Sequence, residues 1–222
     1  MTTVEDDQPP LTALDIDAAA LPPSDTATAT FGMGCFWGPD ARFGAMDAVV
    51  RTRVGYAGGT EPDPSYYSLG DHTEVVQVEY DPATLGYDDL LEVFWANHNP
   101  FGGAHKRQYR GVVLVHDEAQ REAAEASAAA LEERTGQSVE TAIESLDSFT
   151  LAEDYHQKYE LRSTPVLGAE LEDIYGPALV DSTVAARLNG FVAGHGDADQ
   201  REGLLAEVAL SPAALSELER RL

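Results

Sequence analysis

The sequence predicts an α+β protein: a two-layer sandwich of helices on a mixed sheet, with a helical extension behind it. Short runs of strand character alternate with stretches of helical spacing between residues 27 and 159, and beyond Pro165 the pattern is helical only. The strand signal is clearest over residues 74–81, where Val76, Val78 and Tyr80 share one face and Val75, Gln77 and Glu79 the other.

Taken in order, residues 1–27 are acidic and rich in Pro, Ala and Thr, which reads as a disordered tail. Residues 27–34 read as a short buried strand, and Gly38-Pro39 opens a helix with Phe43 and Met46 on one side. A second strand over 51–56 leads into a loop, 57–71, dense in Gly, Pro, Asp and Ser. Tyr87, Leu90, Leu91 and Phe94 have helical spacing within 87–98. After a loop over 99–110, the unbroken apolar run Val112, Val113, Leu114, Val115 reads as a central strand.

An Ala-rich helix over 117–134 starts with the capping pair Asp117 and Gln120, and residues 139–145 alternate as a strand. Thr150 and Glu153 have the spacing of a capping box that starts a helix running through Tyr159. Further on, Leu167, Leu171 and Ile174 form one stripe, and Val184, Leu188 and Phe191 another. Ser211-Pro212 starts a last helix bearing Leu215, Leu218 and Leu222. The chain thus divides into a tail over 1–27, a main domain over 28–164 and a helical extension over 165–222.

Composition removes several classes of function. A net charge of −25 repels nucleic-acid phosphates and anionic lipid surfaces, so neither is an expected partner. No apolar run reaches the length of a bilayer span, and the first ten residues lack the basic and apolar regions of a secretory signal, so a cytoplasmic protein is expected. Strong charge without a coiled-coil seam favours a monomer. Lysine is confined to Lys106 and Lys158, and so acidic a surface suits a salt-rich cytosol, where repulsion is screened. One cysteine leaves no intrachain disulfide and no multi-cysteine cluster, and the six histidines show no close pairing, so no metal is expected.

The segment Phe31-Gly32-Met33-Gly34-Cys35-Phe36-Trp37-Gly38 carries the chemistry. A cysteine at a strand-to-helix junction gains thiolate character, because a helix start favours an anion. Phe36 and Trp37 beside it can wall a pocket for a methyl group. An arbitrary lone cysteine is more often a small buried packing residue, but three glycines and two aromatics around this thiol favour reactivity. A dinucleotide fingerprint is rejected: Trp37 stands where the third glycine belongs, and the strand over 51–56 ends without an acid. Glu74 falls on the face of Val76, Val78 and Tyr80, where burial would raise its pKa and keep a proton available near neutrality.

Gly34-Cys35-Phe36-Trp37-Gly38 resembles the hallmark of the type A peptide methionine sulfoxide reductases. Gly55-Tyr56-Ala57-Gly58-Gly59 is similar to that family's Gly-Tyr-x-Gly-Gly, and Asp63-Pro64-Ser65-Tyr66 to its Asn-Pro-x-Tyr. His72-Thr73-Glu74, Tyr80-Asp81-Pro82, Gln108-Tyr109-Arg110 and Ala152-Glu153-Asp154-Tyr155-His156-Gln157 continue the likeness, in order, to about residue 160.

The resemblance implies the family's ferredoxin-like core and the reduction of methionine S-sulfoxide, protein-bound or free. Cys35 would attack the sulfoxide sulfur and become a sulfenic acid, with Glu74 as general acid. Tyr66 and Tyr109 would donate hydrogen bonds to the sulfoxide oxygen, Phe36 and Trp37 would hold the methyl group, and His72, Tyr155 and His156 would support the site. Two features depart from the family. No acid stands between Pro100 and Tyr109, where relatives carry an Asp that lines the site, and His105 is the nearest substitute. With no second cysteine to resolve the sulfenic acid, an external thiol, thioredoxin or a small thiol, must regenerate Cys35. The rival reading is a thiol redox sensor or sulfoxide-binding module with weak turnover; a peroxidatic thiol enzyme is a third.

Overall fold

The computed structural model describes residues 12–20, 22 and 24–221. Strands β1 (Ala27–Met33), β2 (Val49–Ala57), β3 (Thr73–Tyr80), β4 (Gly111–Val115), β5 (Ala142–Ser145) and β6 (Phe149–Leu151) form one mixed sheet in the order β5-β4-β1-β3-β2-β6. All neighbours are antiparallel except β4 and β5, which run parallel and are joined by helix α4, numbered below. The α+β class with a mixed sheet is as the sequence predicts.

Helices α2 (Trp37–Gly44), α3 (Tyr87–Ala96) and α4 (Glu118–Thr135) belong to this sheet. Phe31, Val76, Val78 and Val113 form a core with Phe43 of α2, Leu90, Leu91 and Phe94 of α3 and Ala124 of α4. Rings of Phe43 and Phe94 stack on Phe31 at 5.4 and 5.0 Å. The other sheet face buries Val75, Val112 and Leu114 against Leu146 and Phe149. The middle strands are therefore buried on both faces, which accounts for the unbroken apolar run in β4. The predicted cap of α4 is present, with Asp117 accepting from the Gln120 amide at 2.8 Å.

Helices α5 (Tyr159–Arg162), α6 (Leu167–Tyr175), α7 (Thr183–Val192), α8 (Ala198–Glu207) and α9 (Pro212–Glu219) enclose a second core. It holds Leu161, Leu167, Leu171, Val184, Leu188, Phe191, Leu204 and Leu218. Ile174 departs from its expected stripe: it is 37% exposed, and Tyr175 is buried in its place. Leu222 lies outside the described residues.

Two expectations are corrected. Residues 12–20 are ordered, although the sequence reads as tail there: α1 (Ala13–Ala19) starts with a capping box between Thr12 and Asp15. Its Ala13 is buried in the second core, and Asp17 accepts from the Val184 amide at 3.0 Å. Residues 1–11 lie outside the described residues. Thr150 and Glu153 cap no helix. Thr150 pairs with Tyr56 in β6, and a short 3-10 turn over Asp154–His156 follows, because the sheet edge of β2 claims this segment first.

Candidate active site

Gly34 ends β1 with a φ of +92°, a backbone region open to glycine, and so turns the chain sharply before Cys35. Phe36 caps α2, which places Cys35 just outside a helix start as the sequence predicts. The amide of Trp37 donates to the Cys35 thiol and lowers its pKa, but the net direction is upward. Partial burial of the sulfur pushes the value up, and the charges of Glu74 and Glu160 add to it. The expectation of a thiolate favoured by the helix start is therefore corrected: desolvation and nearby carboxylates outweigh the helix. Cys35 itself remains open to solvent.

Glu74 projects from β3 to the Cys35 side of the sheet and is 1% exposed. Its Oε2 accepts from the amide of Phe36 at 3.2 Å and its Oε1 from Gln108 Nε2 at 2.7 Å. Burial raises its pKa despite these two bonds, which favour the ionised form.

Tyr109 lies in a 3-10 turn over Arg107–Tyr109, close enough to Cys35 and Glu74 to feel both charges, and shares a side-chain hydrogen bond with Tyr66. Two arginines hold that turn. Arg107 donates to the carbonyls of Asp71 and Gly58 at 2.6 and 2.7 Å, and Arg110 makes a two-pronged pair with Glu144 at 2.6 Å.

The aromatic wall is built on the opposite side. Phe36 is buried with Tyr56, and Trp37 stacks on Tyr159 at 3.7 Å, nearly parallel. Trp37 Nε1 donates to His156 Nδ1 at 3.2 Å. The His156 ring lies among Phe36, Tyr66 and Tyr155 at 5.1, 4.8 and 4.1 Å. Burial pushes the His156 pKa down, against the charge of Glu153, so the ring is neutral near pH 7.

Glu153 joins the two sides. It accepts from the Tyr56 hydroxyl at 2.7 Å and from the Tyr66 amide at 3.0 Å. Burial opposes its ionisation, yet these donors, its own backbone amide and His156 hold its pKa below the ordinary carboxylate value.

Cys35, Phe36, Trp37, Tyr66, Glu74, Tyr109 and His156 are thus brought together, with Tyr155 half exposed at the rim. His72 is not. It is buried under the loop over 58–71, where Nε2 pairs with the Glu61 carbonyl at 2.9 Å. His105 is exposed, and the side chain that its loop sends to the carboxyl is Gln108. Sequence reasoning missed Tyr56, Gln108, Glu153 and Tyr159 as parts of the site. The first three stood inside the quoted motifs, which was the available signal. Among the described residues no group of three or more His, Cys, Asp or Glu side chains is placed to hold a metal. A cavity of about 580 Å³ between α1, α7 and α8 contains none of the site residues.

The family model described as peptide methionine sulfoxide reductase matches residues 27–170. A Drosophila melanogaster peptide methionine sulfoxide reductase is 43% identical over 189 residues, covering 84% of this chain and 76% of its own. The peptide methionine sulfoxide reductase MsrA of Natronomonas pharaonis is 46% identical over 145 residues, covering 60% of this chain and 82% of its own. Among solved structures, reduced Mxr1 from Saccharomyces cerevisiae superposes with a TM-score of 0.59 at 30% identity, over 65% of this chain and 88% of that one. Methionine sulfoxide reductase A of Corynebacterium diphtheriae does so with a TM-score of 0.56 at 31% identity, over 64% and 76%.

Proposed function

The chain belongs to the peptide methionine sulfoxide reductase family and reduces methionine sulfoxide, and on that premise we propose that Cys35 and Glu74 carry the reaction on the S epimer. The observation that carries this reading is the bond from the amide of Phe36, the residue after Cys35, to the buried Glu74 carboxyl. It holds the acid at the side of the nucleophile.

Glu74, whose burial favours the protonated carboxyl, gives its proton to the sulfoxide oxygen. The Cys35 sulfur attacks the sulfoxide sulfur and forms an S–S bond. Tyr66 and Tyr109 donate to the oxygen as it takes up charge. Burial contributes most to the raised thiol pKa, and the negative charge of Glu74 adds to it. A protonated Glu74 removes that contribution and so eases ionisation of the thiol, while the burial of the sulfur still opposes it. The protonated oxygen then passes to Cys35 as its bond to the substrate sulfur breaks, and the S–S bond opens with its electron pair returning to the thioether sulfur. The proton given up by the Cys35 thiol restores Glu74, leaving a sulfenic acid and free thioether. One external thiol converts the sulfenic acid to a mixed disulfide and water, and a second restores the Cys35 thiol and leaves as a disulfide. The single cysteine in the sequence makes the external reductant necessary.

Phe36 and Trp37 hold the methyl group, and Gln108 orients the Glu74 carboxyl through its Nε2 donor. The same reading carries a ferredoxin-like two-layer core over residues 28–164, with an extension over 165–222, in a cytoplasmic monomer. Turnover of separated S and R methyl sulfoxides with excess dithiothreitol tests the proposal. Multiple turnovers of the S epimer alone, abolished in Cys35→Ser, are expected. A single stoichiometric oxidation without turnover would favour the sensor reading instead.

A further inference from the structure

Behind the site lies a polar cluster of Asp40, Thr52, Lys158 and Asn189, each 0% exposed. Lys158 Nζ donates to Asp40 Oδ1 at 3.1 Å and to the Thr52 carbonyl at 2.6 Å, while the Lys158 amide donates to Asp40 Oδ2 at 3.0 Å. The Thr52 hydroxyl also donates to Asp40. Asn189 gives Nδ2 to Asp40 Oδ2 at 3.3 Å and accepts from the Leu161 amide at 2.9 Å. These groups come from α2, β2, the start of α5 and α7. A shift of any one segment strands a buried donor or acceptor in another, which is costly at this depth.

Helix α7 also meets α2 backbone to backbone. A Cβ on Gly190 would lie 2.5 Å from the Ala41 carbonyl oxygen, and one on Gly44 would lie 2.5 Å from that of Ala186. Only hydrogen fits at these two crossings.

The cluster reaches the substrate wall by two short routes. Asp40 lies one turn from the start of α2, its amide donating to the Phe36 carbonyl at 3.0 Å, and it shares a helix with Trp37. Lys158 is held by Asp40 at a φ of 53°, uncommon for a residue with a side chain. The neighbouring Tyr159 stacks on Trp37, and His156 accepts from its indole. The same carboxylate thus fixes the helix that carries Trp37 and, through Lys158, the start of the helix that carries Tyr159.

We infer that α7, through Asn189 and its glycine crossing with α2, is a positioning element for Trp37, so that the helical extension is required to shape the reductase site. This goes beyond the proposed function and rests on it only in taking Trp37 as a wall of the substrate pocket.

The chain has two tryptophans, so Trp95→Phe leaves Trp37 as the sole fluorescent reporter. In that full-length background, Asn189→Ala removes the bonds and Gly190→Ala forces the helices apart. The expected result is a fall in kcat of about 10–100-fold, a shift in Trp37 emission and an unchanged far-UV spectrum. Leu205 lies on α8 and packs at the edge of the second core, away from the crossing of α7 with α2, so Leu205→Ala should lower Tm and leave kcat and emission at the parent values. If Asn189→Ala does not fold, Gly190→Ala decides. A folded variant with parental kcat or parental emission overturns the inference, as does a Leu205→Ala that loses kcat equally. A parent without turnover would count against the reductase reading alone, and the emission of Trp37 would still decide the positioning.

Discussion

The indole of Trp37 donates its Nε1 hydrogen to Nδ1 of His156 at 3.2 Å, so the imidazole must be neutral with its own hydrogen on Nε2. Protonation at Nδ1 would set two donors against each other and release Trp37 from its place. Burial lowers the His156 pKa from its ordinary 6.5, which delays that event to more acid pH. The sign follows for stability: a depressed histidine contributes stability present above its unfolded pKa and lost as pH falls through its folded one. His156→Phe removes the acceptor. A hydrogen bond of this kind is worth about 0.5–1.5 kcal/mol, so KM for a methyl sulfoxide should rise by up to roughly tenfold. The variant's KM should also lose the acid-side rise that the parent shows. Parallel KM–pH profiles for the two proteins would refute the role.

Glu74 gives the opposite sign. Its folded pKa is raised above the ordinary 4.5 by burial, so its contribution to stability is complete below that value and is lost as pH rises through the folded pKa. Glu74→Gln should therefore raise Tm at pH 7–8 relative to the parent, with the difference vanishing near pH 4. The same variant should lose about 10²–10⁴-fold in kcat, the usual span of general acid catalysis. In the parent, kcat/KM should fall on the alkaline side as the carboxyl ionises. A variant that gains stability but keeps its rate would remove Glu74 from the acid role.

How much of this was legible beforehand depended on whether a feature is local. The alternation of Val76, Val78 and Tyr80 gave both the strand and the face of Glu74, since a period of two needs no tertiary information. Asp117 and Gln120 gave a helix start for the same reason. Thr150 and Glu153 misled, because the spacing of a capping box says nothing of a neighbouring strand edge. Tyr56 pairs with Thr150 there, and the Glu153 carboxylate serves Tyr56 and Tyr66 instead of a helix amide. The helix over Ala13–Ala19 was illegible because its support comes from Val184, 167 residues away. The union of Asp40 with Lys158 was hidden likewise, 118 residues apart.

Glu153 supplies a third prediction. Its carboxylate takes one donor from the Tyr56 hydroxyl and one from the Tyr66 amide, so it fixes the loop that presents Tyr66. Glu153→Ala strands both donors, at about 1–3 kcal/mol for an unsatisfied buried group. The expected outcome is a lower urea midpoint and a fall in kcat. Tyr56→Phe, which removes one of the two donors, should show a smaller loss of both. Steady-state kinetics and urea titration on the two variants check the order. A Tyr56→Phe variant as impaired as Glu153→Ala would mean that the tyrosine hydroxyl, and not the seating of Tyr66, is what the carboxylate serves.

The pairing of Lys158 with Asp40 allows the sharpest test of energetics. Both side chains are 0% exposed, and burial pushes the Lys158 pKa down while Asp40 holds it up. Desolvating two charges costs about as much as their attraction returns, so the intact pair contributes little to net stability. Removing one partner is another matter, because the survivor is left charged and buried. Lys158→Met should therefore destabilise by about 3–5 kcal/mol, and Asp40→Leu by a similar amount. The double variant Asp40→Leu/Lys158→Met should recover only part of that loss: it leaves no buried ion, but the Thr52 hydroxyl, Asn189 Nδ2 and the backbone amide of residue 158 lose their acceptor. Its kcat should not recover with the stability: without Asp40 nothing accepts from the Lys158 amide, and Tyr159 loses its fixed seat against Trp37. Urea unfolding of the three variants, read beside their kcat values, separates the two effects. Equal recovery of kcat and stability in the double variant would show that the buried pair serves the fold alone.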